Sequence, residues 1–254
     1  MQLALTRDIS PAIVRCELTH RAREPIDLEA ARRQHDAYER QLKLAGCSIV
    51  RLAAEEEMPD SVFIEDIAVV FDEFAVVTRP GALSRRGETA AVAQAMAAYR
   101  PVVQIDEPAT IDGGDVLTVG KRVFVGESAR TNTAAISQLA RHLAPHGYIV
   151  HIVPVRGCLH LKSAVTAVSD DMLLINPEWV PAERFRSFTL IDVHPAESDG
   201  ANALRVGAEV IYPTAFPRTC ARLESRGLRV AQVDVSEIAK AEGAVTCCSL
   251  IFSA

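Results

Sequence analysis

Five short stretches of this chain carry side chains suited to covalent or acid–base chemistry, and they recur at a nearly constant interval. Asp66 closes the run PDSVFIED, Asp112 opens DGGD, His160 sits in LHLK, Asn202 follows Gly200, and Cys247 lies in GAVTC. Successive members are separated by 46, 48, 42 and 45 residues. A thiol needs a base or a cationic neighbour to ionise, and an imidazole needs a carboxylate to fix its tautomer. Cys247, His160 and Asp112 or Asp66 can fill those roles. A pocket that gathered Asp60, Glu65, Asp66 and Asp112 around one nucleophile would repel anions and suit a planar cation. A guanidinium fits, because each carboxylate can accept two of its hydrogen bonds. Arg85 and Arg86 in SRRGET, and Arg130 in ESARTN, follow their hairpins at loop positions and are candidates to bind an α-carboxylate.

The elements that must position these groups are legible as a repeat. Pairs of short apolar strands joined by tight polar turns are expected at Ala68 to Val77, Val116 to Gly126, Ala164 to Ile175 and Ala203 to Tyr212, with a last strand at Val245 to Phe252. Helical segments follow most of them. Glu88 to Arg100 stops at Pro101, Thr131 to His146 at Gly147, and Pro217 to Arg226 at Gly227. In Asp27 to Ala45, the residues Leu28, Ala31, His35, Tyr38, Leu42 and Ala45 fall on one helical face. Single strands come next, at Ser48 to Leu52, Tyr148 to Val153 and Leu228 to Val233. The unit is a small α/β module, and a period near 45 residues marks a repeat architecture. Five modules closed around an axis would bring the equivalent positions to one end of it, which gathers carboxylates, imidazole and thiol in a single pocket.

Each signal has a plainer reading when taken alone. A single histidine is usually a hydrogen-bonded structural residue, DGGD is ordinary turn chemistry, Arg85 and Arg86 form a solvated face, and Cys247 and Cys248 pack in a core. It is the common phase that raises them. Between the two thiols, alternation along a strand lets only one face the pocket, and Cys247 holds the repeat phase.

The chain has 254 residues, 49% hydrophobic and 24% charged, with net charge −6. That composition fits a single catalytic domain over residues 1–254 and excludes the basic face that nucleic acid requires. The first residues, MQLALTRDISPAIVRCELTH, lack the apolar run of a signal peptide, and no stretch is long enough to span a bilayer. A cytoplasmic protein without membrane attachment is expected. Six scattered cysteines with no C-x-x-C pair indicate neither a disulfide framework nor a structural zinc site. A homodimer is the assembly that general frequency favours.

The blocks PDSVFIED, TRPGALSRRGET, TIDGGDVL, VGESARTN, LHLKSAVTAV and GAVTCCSL cover nearly the whole chain, and their order resembles the dimethylarginine dimethylaminohydrolase family of the arginine deiminase superfamily. The resemblance implies a five-module α/β propeller (pentein) with pseudo-fivefold symmetry. It implies that Cys247 is the nucleophile, His160 the general acid and base, and Asp112 the carboxylate that positions the histidine and the guanidinium, where some relatives carry Glu. It further implies that Asp66 binds the guanidinium with Glu65 supporting it, that Asp60 contacts an α-amino group, and that Arg85 and Arg130 hold an α-carboxylate. Leu18 would lie in an N-terminal loop over the site, and Ala241 would line the substrate pocket. The implied reaction converts Nω-methylated arginine to citrulline and a methylamine with no metal or organic cofactor. Alternatives are hydrolysis of arginine or another guanidine, a catalytically silent guanidinium-binding protein, and a zinc site on Cys and His.

Overall fold

Branched residues in runs of three to six, interrupted by Gly, Asp or Ser turns, cannot bury both faces of an isolated strand pair, so each pair recruits a third strand and a helix. The structure is a computed structural model that describes residues 1–253. The elements are, in order, β1 (Gln2–Arg7), α1 (Leu28–Leu44), β2 (Ser48–Leu52), β3 (Ala68–Val70), β4 (Ala75–Val77), α2 (Thr89–Ala97) and β5 (Val102–Gln104). There follow β6 (Val116–Val119), β7 (Arg122–Glu127), α3 (Thr133–Leu143), β8 (Ile149–Pro154), α4 (Leu161–Ala164), β9 (Val165–Ala167), β10 (Met172–Ile175) and β11 (Thr189–Asp192). The chain ends with β12 (Leu204–Val206), β13 (Glu209–Pro213), α5 (Pro217–Ser225), β14 (Arg229–Val233), α6 (Ser236–Ala239) and β15 (Leu250–Ser253).

These strands form five three-stranded sheets of one design. In β3-β4-β5, β6-β7-β8, β9-β10-β11 and β12-β13-β14 the first two strands are antiparallel and the last two parallel. The fifth sheet is shared by both ends of the chain: β15 runs antiparallel to β1, which runs parallel to β2. The first strands surround an axial cavity of about 310 Å³, to which β3, β6, β9, β12 and β15 contribute Val69, Val119, Ala167, Leu204 and Ile251 respectively. The expected five-module α/β propeller is therefore the observed architecture.

Helix α1 shows how the local code works. Asp27 accepts the Ala30 amide at 3.0 Å as N-cap, Ala31, His35, Tyr38 and Leu42 are buried, and Gly46 at φ +100° ends the helix. Leu42 is fully buried, so its truncation to alanine would cost about 2–5 kcal/mol.

Three boundaries differ from the sequence expectation. Residues Leu83–Glu88 wind as a 3-10 helix, so α2 starts at Thr89, and the side chains of Arg85 and Glu88 are buried beneath an otherwise exposed turn. The β9-β10-β11 module has a 3-10 turn, Ala182–Phe185, where the others have a helix, which accounts for its shorter spacing. The last strand begins at Leu250, and Val245 to Cys248 form a turn in which the Cys247 amide donates to Ala244 O at 3.2 Å. Strand alternation is therefore not what separates the two thiols. Cys248 is buried in the core under α1, whereas Cys247 is half-buried at the edge of that core. No helix among the described residues is long and apolar enough to cross a membrane.

Candidate active site

Each module delivers its chemical group from the turn just before its first strand. Asp66 lies in a 3-10 turn before β3, Asp112 caps the 3-10 turn before β6, and His160 caps α4 before β9. Asn202 precedes β12 and Cys247 precedes β15. A short turn at a strand end holds backbone direction tightly, and the packed sheets behind it leave little freedom, so five distant residues are fixed on one end of the axis.

His160 is clamped between two carboxylates. Its Nε2 lies 3.1 Å from Asp112 Oδ2 and its Nδ1 lies 3.8 Å from Asp66 Oδ1. Asp112, fully buried, accepts the Gly81 amide at 2.9 Å on its other oxygen. Asp66 accepts the Gly114 amide at 3.0 Å and the Arg85 guanidinium at 2.6 Å. Burial opposes a charged imidazole, but Asp66, the hydrogen bond to Asp112, and Asp115 outweigh it and lift His160 to about 9. Burial pushes the Asp66 carboxyl upward, yet His160, Arg85 and the Gly114 amide prevail and hold it below the usual carboxylate range. At neutral pH the site thus holds a protonated imidazole between two carboxylates, a ready proton donor.

Cys247 is in the opposite condition. Burial, then the charges of Glu65 and Asp66, push its thiol well above the ordinary value. Glu65 stands close: its amide donates to Cys247 O at 3.1 Å, and its carboxylate takes Lys162 Nζ at 2.7 Å and Thr246 Oγ1 at 2.6 Å. Glu65, Lys162 and Thr246 also line the axial cavity, so this ion pair separates the site from the axis. Asn202 ties the arrangement together through Thr246 and the Lys162 carbonyl. It is a brace here, with no free polar group directed at the other four.

The substrate-side residues divide. Arg130 reaches Asp112 Oδ2 at 3.9 Å with one nitrogen and Thr19 Oγ1 at 3.1 Å with another. Arg85, expected at an open loop position, is instead buried, with all three nitrogens engaged by Asp66, Glu88 and the carbonyls of Asp60 and Phe63. In this arrangement it braces Asp66, because a guanidinium taken from water must meet oxygens on every edge. Asp60 receives the Glu17 amide on both oxygens, and burial raises its carboxyl despite Arg85. Leu18 lies in the irregular segment that follows, packed against the core beneath α1, and Ala241 is buried in the same core.

Two features escaped the sequence reading. Asp115, quoted there only as a turn residue, is fully buried and accepts from Ser128, Thr131 and the Leu161 amide, so it ties the Arg130 loop to the His160 turn. The glycines of DGGD are required by close approach: a Cβ on Gly113 would lie 2.0 Å from Glu65 O, and one on Gly114 2.6 Å from His160 Nδ1. Two acids flanking two glycines within a chemical phase was the available signal. Asp66, Asp112 and His160 also place ligand-capable atoms within 4.8 Å of one another, a spacing open to a metal ion among the described residues. Asp66 is already committed to Arg85 and Gly114, and an imidazole protonated at neutral pH offers no lone pair, which leaves a poor donor set for a metal.

Residues 56–205 match the family model of arginine deiminase. An N(G),N(G)-dimethylarginine dimethylaminohydrolase of Streptomyces coelicolor is 40% identical over 97% of this chain and 95% of its own length. One of Pseudomonas aeruginosa is 38% identical over 89% of this chain and 90% of its own. A solved structure of the Pseudomonas aeruginosa enzyme, a mutant complexed with citrulline, superposes with a TM-score of 0.94 over 98% of both chains at 36% identity.

Proposed function

Because the chain belongs to the arginine deiminase family, we propose that it hydrolyses Nω-methylated arginine to citrulline and dimethylamine or methylamine. The observation that carries this reading is His160 held between Asp112 and Asp66, with Cys247 delivered from the equivalent turn of its own module. The curated relatives at 38% and 40% identity are named for dimethylarginine hydrolysis, and the Pseudomonas aeruginosa structure holds citrulline.

The reaction runs as follows. The guanidinium of the substrate sits against Asp66 and Asp112, and its charge offsets the field of Glu65 and Asp66 that keeps Cys247 protonated. The thiol proton leaves to solvent and the thiolate attacks the guanidinium carbon, forming a C–S bond and a tetrahedral adduct. His160, protonated at neutral pH, gives its proton to the departing amine as the C–N bond breaks, and an S-alkylthiouronium remains on Cys247. Neutral His160 then takes a proton from water as its oxygen bonds to the same carbon. Cleavage of the C–S bond returns the electron pair to sulfur, the remaining hydroxyl proton passes from the adduct oxygen to the thiolate, and citrulline leaves the regenerated Cys247 thiol. Arg130 binds the α-carboxylate of the substrate and Asp60 its α-amino group, beneath the loop that carries Leu18. Arg85 keeps Asp66 ionised and oriented.

The test compares citrulline formation from asymmetric dimethylarginine, monomethylarginine and arginine. The methylated substrates should show the higher kcat/KM, and Cys247→Ser should abolish turnover of all three. Preference for arginine would make the protein a deiminase, and no citrulline from any of them would sink the proposal.

A further inference from the structure

The segment between Cys16 and Asp27 has no helix or strand to order it, yet its backbone is pinned at consecutive amides. Thr19 donates to Glu242 Oε2 at 3.0 Å, and His20 and Arg21 donate to Oε1 at 2.5 and 2.6 Å. Three N–H groups converging on one carboxylate form an anion-binding nest made by the loop itself. The receiving residue is strained for the purpose. Glu242 has φ +59° and is the sole non-glycine residue with positive φ among the described residues. It follows α6, where the Glu242 amide donates to Ala239 O and that of Gly243 to Ile238 O. A helix end of this kind normally takes glycine, and a side chain there costs about 1–2 kcal/mol. A Glu in that place sacrifices backbone ease and supplies a carboxylate.

What the pinned segment does next matters to the site. Thr19, fixed by its amide, accepts Arg130 Nη2 on its hydroxyl at 3.1 Å, and the other Arg130 nitrogen points at Asp112. On the other side of Leu18, the Glu17 amide rests on Asp60. Arg21 adds an ion pair to Asp199 at 2.6 Å. His20 and Arg21 of this loop line a cavity of about 390 Å³ together with Leu159, Asn202, Glu242 and Ala244. We propose that Glu242 is a positioning residue: by gripping the Thr19–Arg21 backbone it sets the Thr19 hydroxyl against Arg130 and so aims that guanidinium at the α-carboxylate of the substrate. The substrate half of this statement rests on the methylarginine reading; the contact chain from Glu242 through Thr19 to Arg130 does not.

The test uses Glu242→Gly, which relieves the backbone while removing the carboxylate, together with Glu242→Gln and Thr19→Val. Amide hydrogen exchange of the free protein is read first. Thr19, His20 and Arg21 should lose protection by about tenfold or more in both Glu242 variants, with exchange elsewhere unchanged. Steady-state kinetics follow with dimethylarginine and with its decarboxylated analogue, the corresponding dimethylated agmatine. All three variants should raise KM for dimethylarginine about tenfold while kcat stays within about threefold, and should leave kcat/KM for the analogue unaltered. Unchanged exchange at Thr19–Arg21, an equal loss on both substrates, or a fall in kcat with KM unmoved would overturn the assignment. Exchange is measured without turnover, so failure of the latch and failure of the methylarginine reading are told apart.

Discussion

Replacing Gly114 by alanine adds one methyl group at the most crowded point of the site. The new Cβ would sit 2.6 Å from His160 Nδ1, 2.8 Å from Asp66 Oδ1 and 2.9 Å from His160 Cγ. Carbon–nitrogen contacts are normally near 3.5 Å, so close to an ångström of displacement must be found. Neither neighbour is a flexible tip. Asp66 is tied to Arg85 at 2.6 Å, His160 to Asp112 at 3.1 Å, and the Gly114 amide itself donates to Asp66 at 3.0 Å. Overpacking of this kind costs about 1–3 kcal/mol. With about 2–4 °C of Tm lost per kcal/mol in a chain of this size, the variant remains folded at room temperature. The effect on rate is larger, because a shift of about 1 Å at the reacting groups lowers turnover by about 100-fold. Citrulline formation and thermal unfolding measured on the same preparation check both numbers. A Gly114→Ala protein with kcat/KM within about threefold of wild type would show that the imidazole and Asp66 are not held as described.

Other consequences are open to the same kind of check. Gly113→Ala, whose Cβ would meet backbone oxygen at 2.0 Å, should cost folding itself and yield little soluble protein on expression. His160 has its folded pKa raised to about 9, above its unfolded value, so its contribution to stability is full below about pH 6.5 and is lost as pH rises towards 9. Urea unfolding across that window should show the decline in wild type and a flatter profile in His160→Ala. His35 is buried with Nε2 unpaired, and burial first, with Arg51 also contributing, holds its pKa below the ordinary value despite Glu39. Its contribution is present above about pH 6.5 and falls away as the solution is made more acid, a loss that His35→Leu should lessen in the same assay. In Glu65→Gln, removal of a charge that raises the Cys247 thiol should bring thiolate absorbance in at lower pH than in wild type.

The architecture could be read from the chain because its signals repeat: a fixed phase near 45 residues, hairpin turns, and helices with a buried face every three or four positions. Pairing of β15 with β1 was not readable, since no local pattern says that the two ends of a chain share a sheet. The proposed nucleophile, imidazole and carboxylates were picked out by phase, but the reason given for preferring Cys247 to Cys248 fails, because the strand imagined there is a turn. Arg85 in SRRGET was expected at an open loop position, as a ligand for an α-carboxylate. Only the 3-10 winding of Leu83–Glu88 turns it inward onto Asp66, and short 3-10 turns leave little periodic trace in a sequence. Asp115 and Glu242 were overlooked for a related cause: their work is to hold backbone and hydroxyl groups far away in sequence, and that bonding appears only once the modules are closed.

The central claim is that Cys247 carries the substrate carbon during hydrolysis of a methylated arginine. Acid quenching of the protein during turnover of asymmetric dimethylarginine, followed by peptide mass spectrometry, tests it directly. The account predicts a mass increment equal to the substrate less dimethylamine on the peptide containing Cys247, located on Cys247 and absent in Cys247→Ser. Citrulline production without that adduct in Cys247→Ser, or an adduct that persists on another residue, would contradict it.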